Sequence, residues 1–266
     1  MRLENKRVLV VGASSGLGRE SGLAIAREGA RVGFAARRLE RVEAAASEAG
    51  GACFALRCDV REEASCREVV AGAIERMGGL DALVYCPGIS PFGPIEEIDQ
   101  RAWLEVFSTN VIGFSLLMNA AIDELSANRG KVVVYSSISI DDSPPRPKQA
   151  SYPISKIALE RLIEAWQGEH RKVGFTSIAN GDTLTEFGFG ESMEKLIPIV
   201  QRWSELDYMY GRMMDVSSVA EQVVNALCSR ETIRRIAITP HYPDVVETVD
   251  EMGQKAVETV RTGGKG

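Results

Sequence analysis

Short apolar runs alternate along this chain with longer stretches in which apolar residues return every three or four positions. The short runs predict strands at 8–11, 31–35, 53–57, 82–85, 131–135, 173–179 and 235–239. The longer periodic stretches predict helices near 17–28, 39–49, 62–77, 99–126, 151–168 and 216–229. Strands separated by helices of this length imply a mostly parallel sheet with helices on both faces, an α/β protein of seven strands. No linker or low-complexity stretch divides residues 1–266, so one domain is expected.

Two segments break the rhythm. Residues 141–149 carry three prolines and cannot form a regular helix or strand. Residues 186–212 separate the sixth strand from the next helix and are far longer than an ordinary βα loop. Both follow C-terminal strand ends, where open α/β sheets bind ligands, so a substrate lid is expected at about 186–214. A tail from about 243 has a modest helical pattern over 245–260 and ends in a glycine-rich stretch expected to fray.

Composition narrows the partners. A formal charge of −6 without a basic block excludes nucleic acid. Cys53, Cys58, Cys66, Cys86 and Cys228 form an odd set without zinc-ligand spacing, and His170 and His241 have no motif around them. A reduced, cytoplasmic protein with no metal site is expected. Residues 1–6 lead straight into the first strand, leaving no room for a signal peptide, and no apolar run approaches membrane-spanning length.

The candidate chemistry lies at two places. Gly12-Ala13-Ser14-Ser15-Gly16-Leu17-Gly18 follows the first strand and opens a helix. Gly12 permits a tight turn, Gly16 lets backbone approach a pyrophosphate, and Gly18 lets helix and strand pack; the helix N-terminus offers free N–H groups. Far along the chain, Tyr152 and Lys156 are four residues apart, one turn on a helix face. An ammonium beside a phenol is expected to lower a pKa otherwise near ~10 and to equip the tyrosine for proton transfer. The plainer readings are a glycine turn that binds nothing and an exposed helix face.

These residues resemble the short-chain dehydrogenase/reductase family over about residues 5–240, which implies a Rossmann-type, doubly wound dinucleotide-binding and catalytic domain. The glycine turn matches the family's cofactor turn, and Asp59-Val60 its adenine contact. Asn110 matches the helix asparagine, Ser136-Ser137 the serine at the end of strand five, and Tyr152/Lys156 the catalytic pair. Gly181 and Thr185 stand where the family holds the nicotinamide amide. Departures are Tyr85-Cys86-Pro87-Gly88 in place of Asn-Asn-Ala-Gly, Asn180 in place of proline, and Thr239-Pro240-His241 in place of Asp-Gly-Gly. Alignment on strand five selects Ser137 as the catalytic serine; the family's usual gap to the tyrosine selects Ser139.

The resemblance implies that a nicotinamide cofactor carries hydride while Tyr152 moves the proton. Lys156 would hold the ribose and lower the Tyr152 pKa, Ser137 would bond the carbonyl oxygen, and Asn110 would hold a relay water. Strand two ends in Ala36-Arg37-Arg38 without a carboxylate, so NADP(H) is preferred, with NAD(H) possible. Phe187, Phe189, Met193, Leu196, Ile197, Trp203, Tyr208, Met209, Tyr210, Met213 and Met214 make an apolar lid that suits a hydrophobic carbonyl or alcohol, or packs on the protein itself. Asp182 reads as a turn former and Cys86 as a buried hydrophobe. A 3-oxoacyl-thioester reductase and a non-catalytic dinucleotide-binding regulator are the alternative functions. A homodimer or homotetramer is expected.

Overall fold

The computed structural model describes residues 1–185 and 193–261. Seven strands form one parallel sheet in the order β3-β2-β1-β4-β5-β6-β7. They are β1 (Arg7–Val11), β2 (Arg31–Ala36), β3 (Phe54–Arg57), β4 (Ala82–Tyr85), β5 (Lys131–Tyr135), β6 (Gly174–Asn180) and β7 (Arg235–Ile238). The helices are α1 (Gly16–Arg27), α2 (Leu39–Ala49), α3 (Glu63–Met77), α4 (Gln100–Phe107), α5 (Gly113–Ala127), α6 (Ser151–Glu169), α7 (Met193–Glu205), α8 (Val216–Cys228) and α9 (Val249–Arg261). The doubly wound fold expected from the alternating pattern is the fold observed.

Alternation within each strand builds two cores. Leu9 and Val11 of β1 face one layer with Leu83, Tyr85, Phe114 and Phe175. Val8 and Val10 face the other with Phe34, Ile178, Val219 and Val223. Both faces of the sheet are therefore sealed by apolar side chains, and its N–H and C=O groups pair within the ladder. The strand order reverses between β1 and β4, which opens a crevice at their C-terminal ends.

The 99–126 pattern predicts one helix, and Gln100–Ala127 is one, widened by a π turn in its middle. The π turn, Ser108–Ile112, lies between α4 and α5. The buried Tyr85 hydroxyl donates to the Thr109 carbonyl at 2.5 Å, which draws that carbonyl to the end of β4. The expectation about membrane-spanning length needs correction. Gln100–Ala127 is long and apolar enough to cross a membrane, but half of its apolar window is buried inside the fold. Its Phe114, Leu117 and Ala121 fill the core.

The helical pattern over 245–260 is met by α9, which folds back onto α7. Met252 joins Phe92, Ile199, Trp203 and Met209 in a third apolar cluster above the crevice. The glycine-rich end beyond residue 261 lies outside the described residues.

Candidate active site

The glycine turn is shaped by close approach. Gly12 has φ +85°, and a Cβ there would stand 2.8 Å from the Pro87 nitrogen. A Cβ at Gly18 would stand 2.3 Å from the Gly12 carbonyl oxygen, so α1 rests directly on the turn. Ser15 begins α1 without a side-chain cap bond, and the first turn holds no acidic residue. Its first N–H groups and positive dipole end are left for an anion.

Arg38 leans over this turn and donates to the Ser14 hydroxyl at 2.9 Å and, longer, to Ser15 at 3.4 Å. Arg37 and Arg41 stand at the same end of the crevice with Leu17. Of these arginines, Arg38 has its guanidinium on the hydroxyls of the turn. Asp59 and Val60 form the next wall, and Arg61, 2.7 Å from Asp59, holds that carboxylate below its usual pKa. Thr185 stands across from Gly16, where a Cβ would meet the Thr185 Cβ at 3.3 Å. Gly181 is held by its N–H on the Ile238 carbonyl. Open amides, hydroxyls and guanidiniums around a cradle with no room for side chains fit a dinucleotide.

The other end of the crevice holds the hydroxyls. Tyr152 and Lys156 share one face of α6, with Nζ 5.7 Å from the tyrosine ring centroid. Lys156 is 2% exposed and donates to the Tyr135 carbonyl at 2.7 Å. Gly88 lies beside it, where a Cβ would stand 3.6 Å from Nζ.

The electrostatics correct the expected lowering of the Tyr152 pKa. Burial pushes the phenol up to about 12; its hydrogen bond with Ser137 and the Arg146 charge pull it down, and Asp182 pushes it up. Burial also pushes Lys156 down to about 8. Sequence spacing brings phenol and amine together, but burial is the largest influence on both.

Ser137 ends β5 and opens a short 3₁₀ turn. Its hydroxyl bonds Tyr152, while Ser139 stands behind it, its hydroxyl 2.9 Å from that of Ser137. Of the two candidate serines, Ser137 meets the tyrosine. Asn110 is buried in the π turn, where its amide donates to the Ile89 carbonyl and the Ser155 hydroxyl and accepts from the Ile89 N–H. Both of its amide hydrogens are committed, so its side chain ties down the loop after β4, and the second lone pair of its oxygen is what it has left for a relay water. Tyr85 and Asn110 together tie the end of β4 and the loop after it to the π turn.

Sequence reading passed over Arg146. This residue of the proline-rich loop is 4% exposed and pairs with Asp142 and Asp182, each at 2.8 Å. It also donates to the Tyr208 carbonyl and lies 5.4 Å from the Trp203 ring centroid. Trp203 and Tyr208 donate in turn to the carbonyls of Pro147 and Pro144. Asp182 is therefore an ion-pair partner, not only a turn former. The only signal in sequence was an arginine amid prolines just before Tyr152.

A cleft of about 1140 Å³ joins the two ends. Its substrate side is walled by Phe92, Leu196, Val200, Trp203 and Met213, with Val249 and Met252 from α9. Gln149, bonded to Ser90, adds a polar edge. In and after α7, Ile199 and Met209 pack inward while Leu196 and Ile197 line the cleft. Phe187, Phe189 and the Met193 side chain lie outside the described residues. Among the described residues no cluster suits a metal, and the five cysteines are unpaired. Desolvation pushes the thiol of Cys86, a half-buried residue of the cleft wall, up from its ordinary value.

Known proteins resemble the chain over most of its length. An uncharacterized oxidoreductase of Methylorubrum extorquens is 31% identical over 191 residues, 70% of this chain and 76% of that protein. The 11-beta-hydroxysteroid dehydrogenase A of Sesamum indicum is 30% identical over 83% of this chain and 65% of its own length. An alcohol dehydrogenase of the archaeon Thermococcus sibiricus, solved with 5-hydroxy-NADP, shares the fold at a TM-score of 0.76 and 24% identity. That likeness covers 89% of this chain and 96% of the other. The family model for short chain dehydrogenases matches residues 6–194. The chain belongs to the short chain dehydrogenase family, oxidoreductases that bind NAD(P) and act on CH–OH groups.

Proposed function

We propose that the protein interconverts a carbonyl and a secondary alcohol on an apolar small molecule, with NADP(H) as cofactor. The observation that carries this reading is that Tyr152, Ser137 and Lys156 wall the same cleft as the glycine turn. A nicotinamide cofactor, when bound, supplies or takes the hydride. The Gly12–Gly18 turn, Ser14, Ser15 and Thr185 would hold it, with Lys156 at the ribose.

The chain's own residues handle the proton. In reduction the Tyr152 hydroxyl gives its proton to the carbonyl oxygen, and in oxidation the phenolate takes it from the alcohol. Ser137 donates to the same oxygen and stabilises the charge that develops there. Lys156 keeps a positive charge near the phenol. The apolar wall from α7 and α9 excludes water and favours a hydrophobic substrate.

Support for NADP(H) comes from β2, which ends without a carboxylate and is followed by Arg37 and Arg38 at the turn. A guanidinium pair suits a 2′-phosphate. Replacing Ala36 with Asp should turn the kcat/KM ratio toward NAD(H) by at least about tenfold; an unchanged ratio rejects the assignment. We also propose that the chain works in a reducing cytoplasm and pairs with a second copy. Leu104 of α4, Ile112 of the π turn and Ile154 and Ile157 of α6 are exposed apolar residues on neighbouring elements.

The activity is tested with NADPH and a panel of diketones and aromatic ketones, following absorbance of the reduced cofactor. Tyr152→Phe should lower kcat by roughly a hundredfold or more. Tight cofactor binding without consumption on any ketone, unaltered by Tyr152→Phe, would instead support a dinucleotide-binding regulator.

A further inference from the structure

The Ser137 hydroxyl meets three groups at once. It accepts from the Ser139 backbone N–H at 3.1 Å and lies 2.9 Å from the Ser139 hydroxyl. It also hydrogen-bonds the Tyr152 hydroxyl. A serine hydroxyl has one hydrogen and two acceptor lone pairs. The backbone N–H occupies one lone pair, which leaves one hydrogen and one lone pair for two neighbours. Ser139 and Tyr152 must therefore take opposite parts: when one gives to Ser137, the other receives.

We infer that Ser139 is a positioning residue whose hydroxyl donates to Ser137 and thereby aims the single Ser137 hydrogen at the Tyr152 oxygen, or at the substrate oxygen once substrate is bound. A phenolate can only accept, so once Tyr152 has lost its proton Ser137 has to donate to it. The lone pair that Ser137 then leaves open is filled by the Ser139 hydroxyl. When Tyr152 is a phenol that donates to Ser137, the chain runs the other way, with Ser137 giving to Ser139. No proton changes owner between the serines; only their O–H bonds rotate. Ser137 and Ser139 are 8% and 3% exposed, so bulk water competes little for these bonds. Two bonds in series polarise each other and favour the phenolate more than Ser137 alone.

The catalytic consequence rests on the proposed carbonyl–alcohol chemistry; the hydrogen-bond direction does not. Ser139→Ala keeps the backbone N–H and removes only the hydroxyl. It should lower kcat about tenfold with KM held within about twofold. The apparent pKa governing alcohol oxidation should rise by about half to one unit. In a Ser137→Ala background the same change should have no further effect, because Ser139 acts through Ser137. A full, additive loss in that background would overturn the inference.

A second measurement does not need turnover. Ultraviolet titration of tyrosinate, wild type minus Tyr152→Phe, follows the Tyr152 proton directly with oxidised NADP present. Repeated in the Ser139→Ala protein, it should show the same upward shift; an unshifted titration overturns the inference. If no ketone or alcohol is turned over, the activity reading fails while this titration still decides the role of Ser139.

Discussion

Lys156 shows how a single buried charge serves chemistry at the expense of stability. Its pKa falls from the ordinary lysine value to about 8 because burial penalises the cation. For a base depressed in this way the fold prefers the neutral form. The cost is full below about pH 8 and fades as pH rises toward the unfolded value of about 10.5. Lys156→Met should therefore raise stability at pH 7 by on the order of 1–2 kcal/mol after loss of its bond to Tyr135, a few degrees in Tm. Most of that gain should be gone by pH 10, and the variant should be close to inactive. Thermal unfolding at the two pH values checks the sign; equal gains at both would contradict it. Carbonyl reduction has a related signature. Tyr152, pushed up to about 12, stays protonated through neutral pH, so kcat/KM should be flat near pH 7 and fall as Lys156 loses its charge above about pH 8. The Tyr152–Lys156 spacing was legible in sequence, but the direction of both shifts was not. Four-residue spacing fixes proximity, whereas desolvation depends on Tyr135, Ser137 and the strands that close around the pair.

Elements were legible wherever one periodicity sufficed, and only partly so where a distant side chain intervened. The strands and α1, α2, α3, α6 and α8 fall within a residue or two of their sequence patterns. The 99–126 helix is continuous as its pattern implies, but its π turn was not legible, because the apolar spacing barely changes across it. What holds that turn comes from Tyr85 and Ile89, far away in sequence. The proline-rich loop is similar: its prolines announce irregular backbone, but nothing local announces that Arg146 will be buried. That arginine clasps the 141–149 loop to the end of α7 through Trp203, Tyr208 and Asp182. Arg146→Met leaves two mostly buried carboxylates without their cation and should cost on the order of 3 kcal/mol. Substrate KM should rise while cofactor Kd, read by fluorescence of bound NADPH, changes little. A cofactor affinity that collapses together with KM would show that the clasp supports the whole crevice instead.

At the scale of the molecule, the sheet order follows from β-α alternation and the glycine turn lands at its reversal point, as the pattern implies. The docking of α9 was not legible, because a weak amphipathic pattern says nothing about which surface receives it. The exposed isoleucines and leucine of α4, the π turn and α6 bear on the proposed pairing of two copies. Leu104→Glu with Ile157→Glu should convert the assembly to a monomer in sedimentation velocity, with the fold retained by circular dichroism. An unchanged sedimentation coefficient above monomer size would move the contact elsewhere, for example to the β7 edge, where Tyr242 is 70% exposed. Met252 and Val249 carry a practical corollary. Because α9 supplies part of the substrate wall, a fusion that disturbs this helix also changes the surface that ligands meet. Kinetic constants collected on such a fusion belong to the appended segment as well as to the enzyme.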